Sequence, residues 1–154
     1  MREGAFFFYG TLMERELLSA VLGRRVWPCA LAPAVLRGYR RRSVLGASYP
    51  VVLRQRRASV EGVILRGVGA AETARLCAYE GGGYEPVKAL AELPRRSVRR
   101  VLLFRPKRGA YTVSIRPWSF VGWRLHHKRL AMKAVVIGWV EQNAKPTATV
   151  QGAK

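Results

Sequence analysis

Apolar residues fall into short runs along this chain, and each run suggests an element. Residues 5–9, Ala-Phe-Phe-Phe-Tyr, read as a buried strand. Residues 14–22 read as a short helix with Leu17, Leu18, Val21 and Leu22 on one face and Gly23 as its stop. Residues 31–44 are strand-like, interrupted at Pro33 and Gly38. Two more strands follow at 49–53 and 59–65, with 55–57 (Gln-Arg-Arg) as their turn. Residues 70–79 read as a second short helix, ended by Gly81, Gly82 and Gly83. Residues 86–93 and 97–104 suggest a hairpin around Pro94, Arg95 and Arg96. Pro117 suits a first helical turn and opens a long helix to about Val140. Within it Trp118, Val121, Leu125 and Met132 share a helical spacing expected to pack on the core. Many short strands with few helices predict an α+β fold with a curved or closed sheet.

Composition narrows this picture. A chain of 154 residues, 49% apolar, suits one domain with a core of its own. We expect that domain over residues 1–143 and a loose tail over 144–154. No apolar run approaches the ~20 residues of a membrane span, and the N-terminus lacks a signal-peptide pattern. The expectation is a cytoplasmic protein with no membrane contact. Cys29 and Cys77 stand apart and fit no metal spacing or disulfide framework. No metal or cofactor is expected.

Charge is the unusual feature. Lys and Arg number 28 against nine acids, all of them Glu, for a net charge of +19. The absence of Asp excludes any Asp-based triad and leaves few ligands for Mg or Ca. Clusters such as Arg40-Arg41-Arg42 and Arg56-Arg57 form either a solvated basic surface or a weak, non-specific binding site for nucleic acid or another polyanion.

Three stretches carry candidate chemistry. Tyr9-Gly10-Thr11-Leu12 leaves the first strand through a glycine. That permits backbone N–H groups to converge on an anion, although an ordinary strand-to-helix turn has the same pattern. Glu80 lies between Tyr79 and the three glycines, with Tyr84 just beyond. It is either an exposed residue at a glycine cap or a ligand-facing carboxyl whose pKa the tyrosines raise. Glu85 follows Tyr84 at a strand start and is expected to face solvent. Tyr49-Pro50 begins a strand and is either that alone or one wall of a pocket. His126 and His127 are adjacent, so a helix cannot turn both to one metal. At least one is expected on the surface.

The order of these segments is more specific than any one of them. "YGTL" after an apolar strand, "VLGRR", "LRGYRR", "SYPVVL", "VEGVIL", "LCAYEGGGYEPV" and a late "PWSFVGW" together resemble the gamma-glutamylcyclotransferase-like (AIG2-like) family over roughly residues 5–136. That resemblance implies a small mixed-strand β-barrel flanked by helices. It implies that Tyr9, Gly10, Thr11 and Leu12 cradle a substrate carboxylate through backbone N–H groups. By the same resemblance Glu80 is general acid and base, and Tyr49 and Pro50 line the pocket, with Tyr84 beside them. The implied ligand is a small gamma-glutamyl compound or another acidic molecule. The implied reaction is release of 5-oxoproline from a gamma-glutamyl amide. The alternative is a non-catalytic binding protein of the same fold that uses its Arg-rich surface.

Overall fold

The computed structural model describes residues 4–144, with side chains as far as Gly138. The expected tail lies outside the described residues apart from Ala144, which ends the last helix. Five strands, β1 (Gly4–Phe8), β2 (Leu31–Ser43), β3 (Pro50–Val68), β4 (Tyr84–Glu92) and β5 (Val98–Pro106), close a barrel in the order β1-β3-β2-β4-β5. The pairs are antiparallel except β1 with β5, which run parallel through Phe6 and Leu102. Four helices are described: α1 (Arg15–Leu22), α2 (Ala70–Glu80), α3 (Phe120–His126) and α4 (Lys128–Ala144). This is the mixed α+β barrel with flanking helices that the sequence led us to expect. Among the described residues no helix is long and apolar enough to cross a membrane.

β1 explains why an unbroken aromatic run is needed. Side chains alternate across a strand, and here both faces are buried. Phe7 and Tyr9 point into the barrel, where they meet Leu36, Ile64, Val101 and Leu103. Phe6 and Phe8 point outward and pack with Leu17, Leu22, Leu76 and Trp123 from the helices. The strand thus joins two cores, one inside the barrel and one beneath the helices. Gly62 of β3 lies so close that a Cβ there would collide with the Phe8 carbonyl and the Phe7 ring.

Several expectations need correction. β2 is one strand; Pro33 and Gly38 do not break it, although Gly38 takes a left-handed φ of 82°. β3 is likewise continuous where a reversal at 55–57 was expected. β2 extends far enough to pair with both halves of β3 in one direction. From Arg37↔Ser59 to Tyr39↔Arg54 the pairing advances two residues on β2 and five on β3. The surplus bulges outward, with Arg57 at a φ of 65°. The long C-terminal helix is also two helices. It starts at Ser119, whose Oγ accepts the Gly122 N–H at 3.1 Å, rather than at Pro117. It breaks at His127, whose φ and ψ of −128° and −19° leave the helical region. Trp118 is buried as expected and Met132 packs against the core, but Val121 and Leu125 are exposed and Trp123 takes the buried position. Both histidines are exposed.

Candidate active site

β1 ends by feeding directly into a 3-10 turn, Thr11–Met13. Its first backbone bond is Met13 N–H to the Gly10 carbonyl at 3.0 Å. The amides of residues 10–12 come before that bond, so the turn itself offers them no acceptor. Pro50, the first residue of β3, packs against this loop. A Cβ on Gly10 would stand 3.0 Å from the Pro50 Cγ, so the glycine sits where the two segments nearly touch. Arg41 braces the strand end by donating to the Tyr9 carbonyl at 2.9 Å, with Trp118 5.3 Å from its guanidinium carbon. Burial lowers the Arg41 pKa.

Glu80 arrives from the other side as the last residue of α2. Gly81 caps the helix with a φ of 80° and donates to the Cys77 carbonyl at 3.0 Å. Tyr79 and Tyr84 stand on either side of that cap in sequence. The Tyr79 hydroxyl meets Thr11 Oγ1 at 2.8 Å, which ties α2 to the 10–12 loop. The Tyr84 hydroxyl donates to the Pro50 carbonyl at 2.9 Å, which ties β4 to the start of β3. Tyr9 donates its hydroxyl to the Phe104 carbonyl at 2.5 Å inside the barrel, so its side chain is committed to the core.

These contacts border two spaces that share part of their lining. The smaller, about 30 Å³, is bounded by the loop residues Tyr9, Gly10, Thr11 and Leu12 with Tyr49, Pro50, Glu80 and Tyr84. The larger, about 610 Å³, shares Thr11, Tyr49, Glu80 and Tyr84 with it and runs on towards α1, α2 and α4. The candidate residues chosen from the sequence are therefore gathered at one place. The sequence reading missed Tyr111, Ser48 and Trp123, which also line the larger space. Tyr111 packs edge-on to Tyr49 at 5.9 Å and tilted to Tyr84 at 5.0 Å. A side chain at Gly83 would strike its hydroxyl, which accounts for the third glycine of the run. Sequence spacing gives no sign of Tyr111, because a loop distant in the chain delivers it.

The electrostatics single out Glu80. Part of its surface opens to the cavity, yet surrounding protein desolvates the carboxyl enough to raise its pKa from 4.5 to about 8. Burial and then the nearby Glu80 raise Tyr9 and Tyr84, and burial pushes Tyr79 up to about 12, so these phenols stay neutral. Among the described residues Glu14, Glu16, Glu72, Glu85 and Glu92 form ion pairs, and Glu80 stands outside them. Glu85 is half-exposed and paired with Arg105 at 3.0 Å, away from both spaces. A carboxyl titrating near neutrality beside a set of backbone donors can exchange protons with a ligand that the donors hold.

Comparison with known proteins matches residues 6–120 to the family described as "Gamma-glutamyl cyclotransferase, AIG2-like". The Arabidopsis thaliana protein AIG2 C is 33% identical over 81 residues, 53% of this chain and 47% of the relative. The match thus spans about half the length of that curated relative. An Arabidopsis thaliana protein solved in solution superposes with a TM-score of 0.66 at 24% identity, covering 96% of this chain and 97% of its own. A solved gamma-glutamyl cyclotransferase superposes with a TM-score of 0.63 at 12% identity, covering 99% and 93%. At these identities the two structures speak for the fold alone.

Proposed function

Because the chain belongs to the gamma-glutamyl cyclotransferase, AIG2-like family, we propose that it releases 5-oxoproline from a gamma-glutamyl amide by intramolecular cyclisation. The observation that carries this reading is the meeting of a desolvated carboxyl, Glu80, outside any ion pair among the described residues, with the 10–12 loop on one small cavity.

The substrate brings its own nucleophile. Its alpha-nitrogen attacks the gamma-carbonyl carbon, forming the C–N bond of a five-membered ring. The carbonyl electron pair moves to oxygen, then returns as the bond to the leaving nitrogen breaks. The alpha-nitrogen starts as an ammonium and ends as a lactam N–H, so it gives up two protons. The leaving nitrogen takes up the same number and departs as an ammonium. Glu80, passing one proton at a time, serves as base towards the first nitrogen and acid towards the second. A pKa of about 8 lies near the working pH, where one group performs both tasks well. The 10–12 amides receive the alpha-carboxylate, while Tyr49, Pro50 and Tyr84 wall the site. Holding the substrate's two ends together lowers the barrier by several kcal/mol, up to ~10 in favourable geometry. The test is 5-oxoproline release from a panel of gamma-glutamyl amino acids and amines. Release by the wild type, lost in Glu80→Gln, is the expected result. No release from any amide would overturn the reading.

A second reading rests on the outer surface. Arg54, Arg56 and Arg57 are exposed on the β3 bulge, and Arg54 lies 5.1 Å from the Tyr39 ring. With a net charge of +19 this surface favours weak, sequence-independent attraction to nucleic acid that fades as salt rises. Titration of a labelled oligonucleotide at low and physiological salt checks it. Tight binding that survives physiological salt and prefers one sequence would favour a dedicated binding protein over a cyclotransferase.

A further inference from the structure

The larger cavity is far roomier than a gamma-glutamyl group needs. At about 610 Å³ it falls in the range of sites that enclose drug-sized ligands. Its two ends differ in chemistry. Towards the 10–12 loop it is lined by Thr11, Tyr49, Glu80, Tyr84 and Tyr111. Its far end is lined by Val21, Ala78, Ala131, Ala134, Val135 and Trp123. Ala131, Ala134 and Val135 are spaced to share one face of α4. The small side chains among these residues leave room that the described residues do not fill, and apolar walls favour an apolar occupant.

One charged residue bears on that occupant. Arg75 also lines the cavity, with a guanidinium N–H donated to the Leu22 carbonyl. A cation in the wall of a partly enclosed space disfavours a second cation inside it.

We propose that the leaving amine of the substrate carries a large, uncharged, predominantly apolar substituent, such as an arylalkyl group, housed in the chamber bounded by α1, α2 and α4. This rests on the cyclotransferase reading. The gamma-glutamyl head reaches the smaller space, Glu80 stands at the junction shared by the two, and the leaving nitrogen points its substituent into the larger one. Specificity then lies in the departing half of the amide, since every substrate presents the same head.

The experiment compares three synthetic substrates: the gamma-glutamyl amides of methylamine, phenethylamine and 1,4-diaminobutane. The expected kcat/KM for the phenethylamide exceeds that of the methylamide by about 10-fold or more. The aminobutyl amide, with its distal ammonium, does no better than the methylamide. Ala134→Leu, which narrows the chamber from α4, brings the phenethyl-to-methyl ratio to near unity. Equal turnover of all three, preference for the aminobutyl amide, or a ratio untouched in Ala134→Leu would overturn the inference while leaving the cyclotransferase reading intact. Should none of the three release 5-oxoproline while other gamma-glutamyl amides of the panel do, the inference is overturned; should the whole panel fail, the cyclotransferase reading fails, and calorimetric binding of the same three amides still judges the chamber. Tightest binding of the phenethylamide supports it, and indistinguishable affinities overturn it.

Discussion

Glu14 and Glu80 both stand at helix ends in the interior, and their surroundings are opposite. Glu14 precedes the first turn of α1, where the partial positive charge of the helix favours an anion. It is only 6% exposed, and Arg124 at 2.9 Å and Lys128 at 3.2 Å neutralise it. Glu80 closes α2, where the carbonyl end disfavours an anion. Its neighbours are phenols, and it joins no ion pair among the described residues although the chain carries 28 basic side chains. A buried charge kept for stability is matched, as Glu14 is. A buried carboxyl left unmatched beside a cavity is a functional candidate, because its position costs stability without a structural return.

Exchanging each carboxylate for an amide tests this contrast most severely. Glu80→Gln keeps the size but accepts no proton, so 5-oxoproline release should fall roughly 100-fold or more while circular dichroism stays native. Glu14→Gln should do the reverse. It leaves Arg124 and Lys128 facing a neutral group, lowering stability by about 1–3 kcal/mol in urea unfolding. Turnover of the folded fraction should change much less. Comparable losses of turnover in both variants would erase the distinction between site and scaffold.

Stability against pH sharpens the comparison. The folded pKa of Glu80, about 8, lies above its ordinary 4.5. Between those values the unfolded chain has released this proton and the folded protein retains it. Glu80 therefore withdraws stability as pH rises from 4.5 towards 8, and the loss levels off above that. Relative to wild type, Glu80→Gln should gain roughly 2–3 kcal/mol between pH 5 and pH 8.5, allowing for the partial opening to solvent. A difference independent of pH in chemical unfolding would contradict it.

Two smaller changes probe the walls. Tyr84→Phe removes the hydroxyl that donates to the Pro50 carbonyl at 2.9 Å. The expected cost is about 1 kcal/mol of stability, with a several-fold rise in KM as the start of β3 loosens. Gly83→Ala pushes on the Tyr111 hydroxyl. The ring is able to swing away, so we expect a KM increase of only about 2–3-fold, visible in the same steady-state assay.

Local signals in the sequence located β1, α1, α2 and the β4–β5 hairpin, because each rests on spacing and caps within a few residues. The continuity of β3 was not legible: only the length of its partner β2 decides whether 55–57 reverses the chain or bulges from it. The break at His127 was hidden for a similar reason. Nothing in "LHHKRL" forbids a helix, and Trp123 rather than Val121 or Leu125 proved to be the buried residue. At the site, Gly10, Glu80 and Tyr84 were legible only through the order of their segments, since each stretch alone also fits an ordinary turn, cap or strand start. Tyr111 and the α4 face of the chamber were not, since only tertiary packing brings them there.

The central claim is that Glu80 is a proton carrier whose pKa the fold has raised. It is tested most directly by following the Glu80 side-chain carboxyl through a pH titration by carbon-13 NMR, with Glu80→Gln identifying its signal. The account predicts a midpoint of about 8. A midpoint near the ordinary glutamate value of 4.5 would contradict it.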